Sequence, residues 1–389
     1  MTKDTFVTNS IVYIGVDDKT IDLFESQYEV PEGISYNSYV ILDEKVAIMD
    51  TVDKRATEPW LENLEKALGG RKPDYLVVSH MEPDHAANLA IIAEKYPEMT
   101  IVMNDKAKNM IPQFFDMDLS ARSLIVKEKD KLELGKHTLN FYMAPMVHWP
   151  EVMMSYEESE KVLFSADAFG KFGALDSEDE EGWACEARRY YFNIVGKYGA
   201  QVQAVLKKLG GLDISIICPL HGPILKEDLG YYIGIYDTWS KYEPEDDGIF
   251  VAYGSIHGNT KAAAEKMAEI LKAKGYKKVS IADLSREDLH EAIEDAFRYS
   301  RMIVACATYD AGLFPIVETF VNHLKSKNYQ NRKVGFIENG SWAPMAAKKL
   351  KEAFEGMKNI TMAETVVSIK SAMKDKDIET MGKLADEML

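Results

Sequence analysis

Cysteine is scarce in this chain. Only Cys185, Cys218 and Cys306 occur among 389 residues, far apart and with no Cys-x-x-Cys pair. That spacing argues against a disulfide framework, a cysteine-ligated zinc and an iron–sulfur cluster, and it suits a reducing compartment. Long apolar runs are missing too. No stretch reaches the length a membrane helix needs, and Met1-Thr-Lys-Asp-Thr-Phe has no apolar signal core, so a cytoplasmic protein without membrane contact is expected. Positive charge is also in deficit: 46 Lys and Arg against 63 Asp and Glu leave a net charge of −17. Sequence-independent nucleic-acid binding is therefore not expected. No internal repeat or low-complexity tract occurs.

What is present is ordinary globular material, 46% hydrophobic and 28% charged, in a chain long enough for two or three domains. The first part reads as short β-branched and aromatic runs at Ile11–Val16, Tyr39–Leu42, Val46–Asp50, Tyr75–Ser79, Thr100–Met103, Thr138–Tyr142, Val152–Tyr156 and Val162–Ser165. Helical periodicity covers Ala56–Leu68, Ala86–Lys95 and the region Glu186–Leu209. This predicts sheets covered by helices, an α+β arrangement. The acidic, Pro- and Gly-broken stretch Lys241-Tyr-Glu-Pro-Glu-Asp-Asp-Gly248 marks a boundary, giving domains 1–247 and 248–389. Beyond it, strand and helix alternate strictly from Ile249 to Leu389. Five βα units predict an α/β domain with a doubly wound, five-stranded parallel sheet. Ser285-Arg-Glu-Asp288 offers a capping box for one of its helices.

In such sheets ligands bind beyond the carboxyl ends of the strands. The first loop there, Tyr253-Gly-Ser-Ile-His-Gly-Asn-Thr260, combines glycines, hydroxyls and a helix start. It is neither Gly-Lys-[Ser/Thr] nor Gly-x-Gly-x-x-Gly, which disfavours nucleoside triphosphates and dinucleotides. A cradle without lysine suits one terminal phosphate, as in flavin mononucleotide (FMN). The third strand ends in Thr308-Tyr309-Asp310-Ala311-Gly312-Leu313 and the fourth in Asn339-Gly340-Ser341-Trp342. Each places an aromatic among small residues, a way to border a flat ring. Singly these are ordinary βα turns; together at one sheet edge they favour a flavin.

The densest chemistry lies in Val78-Ser-His-Met-Glu-Pro-Asp-His85. Directly after a strand, His80, Glu82 and Asp84 alternate and can face one cavity, with His85 free to turn to a second metal. His148, Asp167 and His221 could complete such a site, although each alone would read as a core histidine or a turn carboxylate. Three carboxylates and four imidazoles leave two ferrous ions at a net charge of about +1. Hard carboxylate oxygens favour a redox-active di-iron centre over zinc.

The order His-x-Glu-x-Asp-His, His, Asp, His resembles the metallo-β-lactamase fold, an αββα sandwich, but with Glu82 where zinc hydrolases have a second imidazole. Residues 249–389 resemble a flavodoxin. The two joined resemble the flavodiiron proteins over essentially the whole chain. The resemblance implies one non-haem iron on His80, Glu82 and His148, and another on Asp84, His85 and His221, with Asp167 bridging. It implies FMN phosphate contacts at Ser255, Ile256, His257, Gly258, Asn259 and Thr260, His257 standing where relatives often carry an aromatic. The ring and ribityl contacts would come from Thr308, Tyr309, Asp310, Ala311, Gly312, Leu313, Asn339, Gly340, Ser341 and Trp342. The implied activity is reduction of dioxygen to water, of nitric oxide to nitrous oxide, or both. Rubredoxin or a similar small donor with an NADH-dependent reductase is the implied electron source, and a head-to-tail homodimer or a tetramer the implied assembly. A zinc-dependent hydrolase carrying a flavodoxin domain is the alternative; a non-catalytic oxygen sensor or electron carrier is another.

Overall fold

A computed structural model describes residues 6–177 and 182–389. The chain divides into two compact units, Met1–Tyr191 with Ala200–Tyr236, and Phe192–Gly199 with Asp237–Leu389.

The first unit is built on two sheets. In one, the strands Ile11–Tyr13, Tyr39–Ile41, Ala47–Met49, Tyr75–Val77, Thr100–Met103 and Ser123–Ile125 lie in that order. The first two pairings are antiparallel and the last three parallel. The other sheet runs Lys131–Glu133, Thr138–Met143, Met153–Glu157, Val162–Phe164 and Ile216–Cys218, antiparallel except for its last pair. Alternate residues of both sheets form one core: Tyr39, Ile41, Met49, Val77 and Val102 face Leu139, Phe141, Met153, Val162 and Phe164. Helices cover the outer faces, as expected for an αββα sandwich. The helix Thr57–Leu68 shows why: Trp60, Leu64, Ala67 and Leu68 recur at helical spacing and are buried. Trp60 also donates from Nε1 to Ser38 Oγ at 3.1 Å.

Several local expectations change. The run Ala86–Lys95 is two helices, Pro83–Ala86 and Leu89–Lys95. Pro83 opens the first, where its missing N–H costs nothing. The periodic region Glu186–Leu209 is broken into Ala184–Tyr190, a π turn at Tyr191–Val195, a short 3-10 turn and Gly199–Leu209. A further helix, Asp105–Phe114, is capped by Asn104 and carries Pro112 inside it, a residue that argues against helix in sequence. Two small two-stranded sheets, Val16–Asp18 with Ile34–Tyr36 and Leu23–Phe24 with Tyr28–Glu29, are too short for a periodic signal.

In the second unit the five parallel strands take the order Val279–Asp283, Asp246–Gly254, Tyr299–Tyr309, Lys333–Asn339, Thr361–Ile369. This is the 2-1-3-4-5 order of flavodoxin-like sheets. Gly312–Leu313 adds a short antiparallel strand on Thr308–Tyr309. The capping box at Ser285 is not formed. The helix begins at Leu289, and Asp288 caps it by accepting from His290 N at 2.9 Å. A side chain immediately before the first turn reaches the free amides more directly.

Candidate metal and flavin sites

Four segments bring the seven metal-ligand candidates together. His80 to His85 follow the strand Tyr75–Val77, His148 lies between Thr138–Met143 and Met153–Glu157, Asp167 follows Val162–Phe164, and His221 follows Ile216–Cys218. Asp167 stands at the centre and is 1% exposed. Its Oδ2 lies 3.1 Å from His80 Nε2 and 2.9 Å from His148 Nε2. Its Oδ1 faces the other way, 3.4 Å from His85 Nε2 and 3.9 Å from His221 Nε2. Glu82 Oε2 joins the first group, 2.9 Å from His148 Nε2 and 3.5 Å from His80 Nε2. Asp84 Oδ2 joins the second, 3.2 Å from each of His85 Nε2 and His221 Nε2. One carboxylate oxygen of Asp167 is turned to each group, and His80 also comes close to Asp84 and His85.

These residues fit a pair of cations. For metal–ligand bonds of about 2.1 Å, neighbouring ligand atoms at right angles stand about 3 Å apart. His85 Nε2 and His221 Nε2, two ring nitrogens with no carbonyl between them, are 2.9 Å apart. His80 Nδ1, Asp84 Oδ1 and His85 Nδ1 are shielded from solvent and have no hydrogen-bond partner, while His80 Nε2, Asp84 Oδ2 and Asp167 Oδ1 meet only other members of the cluster. Buried polar atoms that converge unpaired are rare unless something charged belongs among them.

Without that charge the groups pair with one another. Burial pushes the His80 ring down, but the charges of Asp167 and Glu82 outweigh it and hold the ring well above its usual value. His85 and His148 behave alike: burial opposes, the neighbouring carboxylates prevail, and each is raised to about 10. Burial favours the neutral form of Asp167, yet His80 and its companions keep the carboxyl well below the ordinary range. Burial and Asp84 work against the charge on Glu82, and His148 and His80 lower it nonetheless.

A pH dependence follows for the metal-free protein. Stabilisation from the raised histidines is fully present below about pH 6.5 and is lost as pH rises through about 10. The lowered carboxylates of Asp167 and Glu82 contribute above about pH 4 and lose that contribution in acid. Metal binding displaces the histidine protons, so the loaded protein should not weaken between pH 6.5 and 10. Thermal melts across that range, with and without metal, check this; a flat metal-free curve would contradict the pairing.

Neighbouring groups hold the ligands in place. His221 Nδ1 lies 2.7 Å from Ser35 O, and the turn carrying His221 is gripped by Asn37 Nδ2, which donates to Pro219 O and Gly222 O. Gly222 takes φ +76°, a conformation that favours glycine, and donates to Ser35 Oγ. Asp50 accepts from Ser79 N and Oγ, and Thr51 donates from N and Oγ1 to His85 O. Aromatic rings close the surroundings: Phe24 and Tyr190 lie 5.3 and 5.6 Å from the His221 ring. Ser35, Asp50, Thr51 and Tyr190 carry no motif, so nothing in their local sequence marks them.

The second unit has a cleft of about 270 Å³ at the carboxyl ends of its strands, lined from the first loop by Ile256, His257, Asn259 and Thr260. Ala307 and Thr308 line it from the third strand, Asn339 to Trp342 from the fourth, and Ser371 from the fifth. Ser255 and Gly258 shape the first loop instead: Gly258 N donates to Ser255 Oγ at 3.1 Å, and Gly258 caps the helix Asn259–Ala273 at φ +88°. Tyr309 to Leu313 form a small hairpin, outside the lining of the cleft. Thr308 Oγ1 accepts from Met345 N and Ala346 N, and so anchors the following helix. The Asn339 amide is engaged with the Ser371 backbone in both directions. Ala307 and Ser371 were not among the sequence candidates; extending the strand-end rule to the fifth strand would have found Ser371. Trp342 is 91% exposed beside the cleft, an unusual place for so large an apolar ring.

Residues 34–222 match the family described as ODP family beta lactamase, and residues 251–380 match Flavodoxin. An uncharacterised protein of Methanocaldococcus jannaschii is 30% identical over 378 residues, 96% of this chain and 95% of the relative. A nitric oxide reductase of Moorella thermoacetica is 28% identical, covering 99% of this chain and 98% of its own. Among solved structures, the rubredoxin oxygen:oxidoreductase of Desulfovibrio gigas superposes with a TM-score of 0.92 at 27% identity, over 99% of this chain and 97% of that one. The flavodiiron protein of Giardia intestinalis gives a TM-score of 0.91 at 25% identity, over 98% and 96%. With both family matches in order along one chain and full-length likeness in sequence and fold, the chain belongs to the flavodiiron proteins.

Proposed function

We propose that this protein is a flavodiiron reductase that passes electrons from FMN to a non-haem di-iron site and there reduces dioxygen to water, nitric oxide to nitrous oxide, or both. The observation that carries the reading is Asp167, buried between two groups of donors with one oxygen turned to each. His80, Glu82 and His148 would hold one iron, Asp84, His85 and His221 the other. The irons would supply the coordination sites and electron exchange for a diatomic substrate, and the flavin would relay the electrons. The balances are O2 + 4 H⁺ + 4 e⁻ → 2 H2O and 2 NO + 2 H⁺ + 2 e⁻ → N2O + H2O.

The side chains do the rest. The three carboxylates would offset most of the metal charge, and the backbone contacts at His85 and His221 hold those residues in place. Phe24, Tyr36 and Tyr190 pack around His221 and limit water there. The Tyr190 hydroxyl keeps its proton, because burial and the nearby carboxylates of Asp167 and Glu82 push its titration far up. In the second unit, the amides at the start of Asn259–Ala273 would take the FMN phosphate, and Trp342 would lie against the ring. The division of labour would follow residues 1–247 and 248–389.

Assays with one reduced donor, under oxygen and anaerobically with nitric oxide, test the function; activity with neither gas would refute it. Iron near two per chain separates it from the zinc-hydrolase reading. Trp342→Ala should weaken FMN binding about tenfold, the scale of one aromatic stacking contact, with metal content and melting temperature unchanged. Fluorescence titration of the flavin-free protein measures this.

We read the working form as a cytoplasmic head-to-tail homodimer, with a tetramer also compatible, fed by rubredoxin or a similar small carrier and its NADH-dependent reductase. The chain has no Cys-x-x-Cys of its own to hold a rubredoxin iron, and no helix among the described residues is long and apolar enough to cross a membrane. A monomer with full turnover in sedimentation and activity measurements would refute the dimer.

A further inference from the structure

Two loops bring ligands to the first metal position. One carries His80 and Glu82, the other His148, and two contacts join them. Met153 N donates to Ser79 O at 2.9 Å, and Met81 N donates to Glu151 Oε1 at 2.8 Å. The second contact is the more telling. Met81 sits between two of the ligand candidates, and Glu151 lies three residues beyond the third. Glu151 is 1% exposed, and its Oε2 has neither solvent nor a hydrogen-bond partner. Its own backbone is secured by Asn104, whose Nδ2 donates to Glu151 O while its Oδ1 accepts from Ala107 N. A buried carboxylate with one oxygen unused is a costly way to fill space. The oxygen that is used holds the amide between His80 and Glu82.

We propose that Glu151 is a positioning residue for the first metal site, a clamp on the Met81 amide that keeps His80 and Glu82 converged on His148. The inference rests on reading the seven ligands as two metal positions. The second position is secured by other groups: Thr51 holds the His85 carbonyl, and Ser35 and Asn37 hold the His221 turn. Loss of Glu151 therefore acts on one position and leaves the other alone.

The test is cobalt(II) titration of the metal-free, full-length protein under anaerobic conditions. His221→Ala isolates the first position, and His148→Ala isolates the second. In the His221→Ala background, Glu151→Ala should weaken cobalt binding on the order of 10- to 100-fold, the scale for losing an outer partner of a ligand. Glu151→Gln keeps an acceptor oxygen for Met81 N–H and should stay within about threefold. In the His148→Ala background all three residues at position 151 should bind alike. Melting of each metal-free variant reports whether it has folded. Undiminished first-site affinity in Glu151→Ala, equal losses at both positions, or Gln as damaging as Ala would overturn the clamp. A wild-type chain that takes up fewer than two cobalt ions would instead overturn the two-metal reading, and the clamp with it.

Discussion

Asp167→Ala should strip both metals from the protein at once. Its carboxylate reaches both sets of donors, with Oδ2 within 3.1 Å of His80 and His148 and Oδ1 3.4 Å from His85. Removing one member of a buried, charge-paired set costs about 3–5 kcal/mol, which corresponds to roughly 10²- to 10⁴-fold in affinity. That loss should fall on each metal, because each uses one oxygen. His221→Ala should deplete only one, since His221 Nε2 faces Asp84 and His85. Iron analysis of the two variants side by side checks this. An Asp167→Ala protein that keeps one iron at wild-type affinity would show that the carboxylate does not bridge. The metal-free variant should also lose much of its alkaline weakening, because Asp167 is a chief reason its histidines hold their protons.

Glu82→His should convert the ligand set toward the zinc pattern and abolish reductase activity. Glu82 Oε2 lies 2.9 Å from His148 Nε2, squarely within the first group. With histidine there, two carboxylates remain, and the charge of a di-ferrous site rises from about +1 to about +2. The oxidised state, two charges higher, becomes harder to reach in a buried site. A neutral nitrogen donor also suits zinc better than a hard carboxylate oxygen does. Turnover should fall on the order of 100-fold or more, with zinc content rising as iron falls. Iron content and turnover both unchanged would show that Glu82 does not set the metal.

Legibility from sequence differed between the two sites. The first loop of the second unit could be read because a βα turn is local: Gly258, Asn259 and Thr260 lie together in sequence and in space. Thr308 and Asn339 show the limit of that approach. Both line the cleft, but the hydroxyl of one and the amide of the other are engaged in holding Met345, Ala346 and Ser371. Ser371 itself follows the fifth strand, Thr361–Ile369, where the strand-end rule reaches it although no glycine or aromatic marks the loop. Glu186–Leu209 failed for a different reason. Periodicity there was helical on average, and the π and 3-10 turns inside it answer to packing rather than to residue preference.

The amino-acid order by itself determined the kind of chemistry. His80, Glu82, Asp84 and His85 are held near one another by the backbone, and their donor atoms suit hard, redox-active cations in any compact fold. The strict strand–helix alternation from Ile249 likewise dictated a parallel sheet with its ligand loops at one edge. Tertiary structure alone decided that His148, Asp167 and His221 meet that loop. It decided which ring nitrogen faces which oxygen, that Asp167 lies between the two groups, and that Glu151 reaches back to the Met81 amide. Those facts depend on how two sheets pack and where their loops end, and packing is a property of long-range contacts that no local spacing encodes.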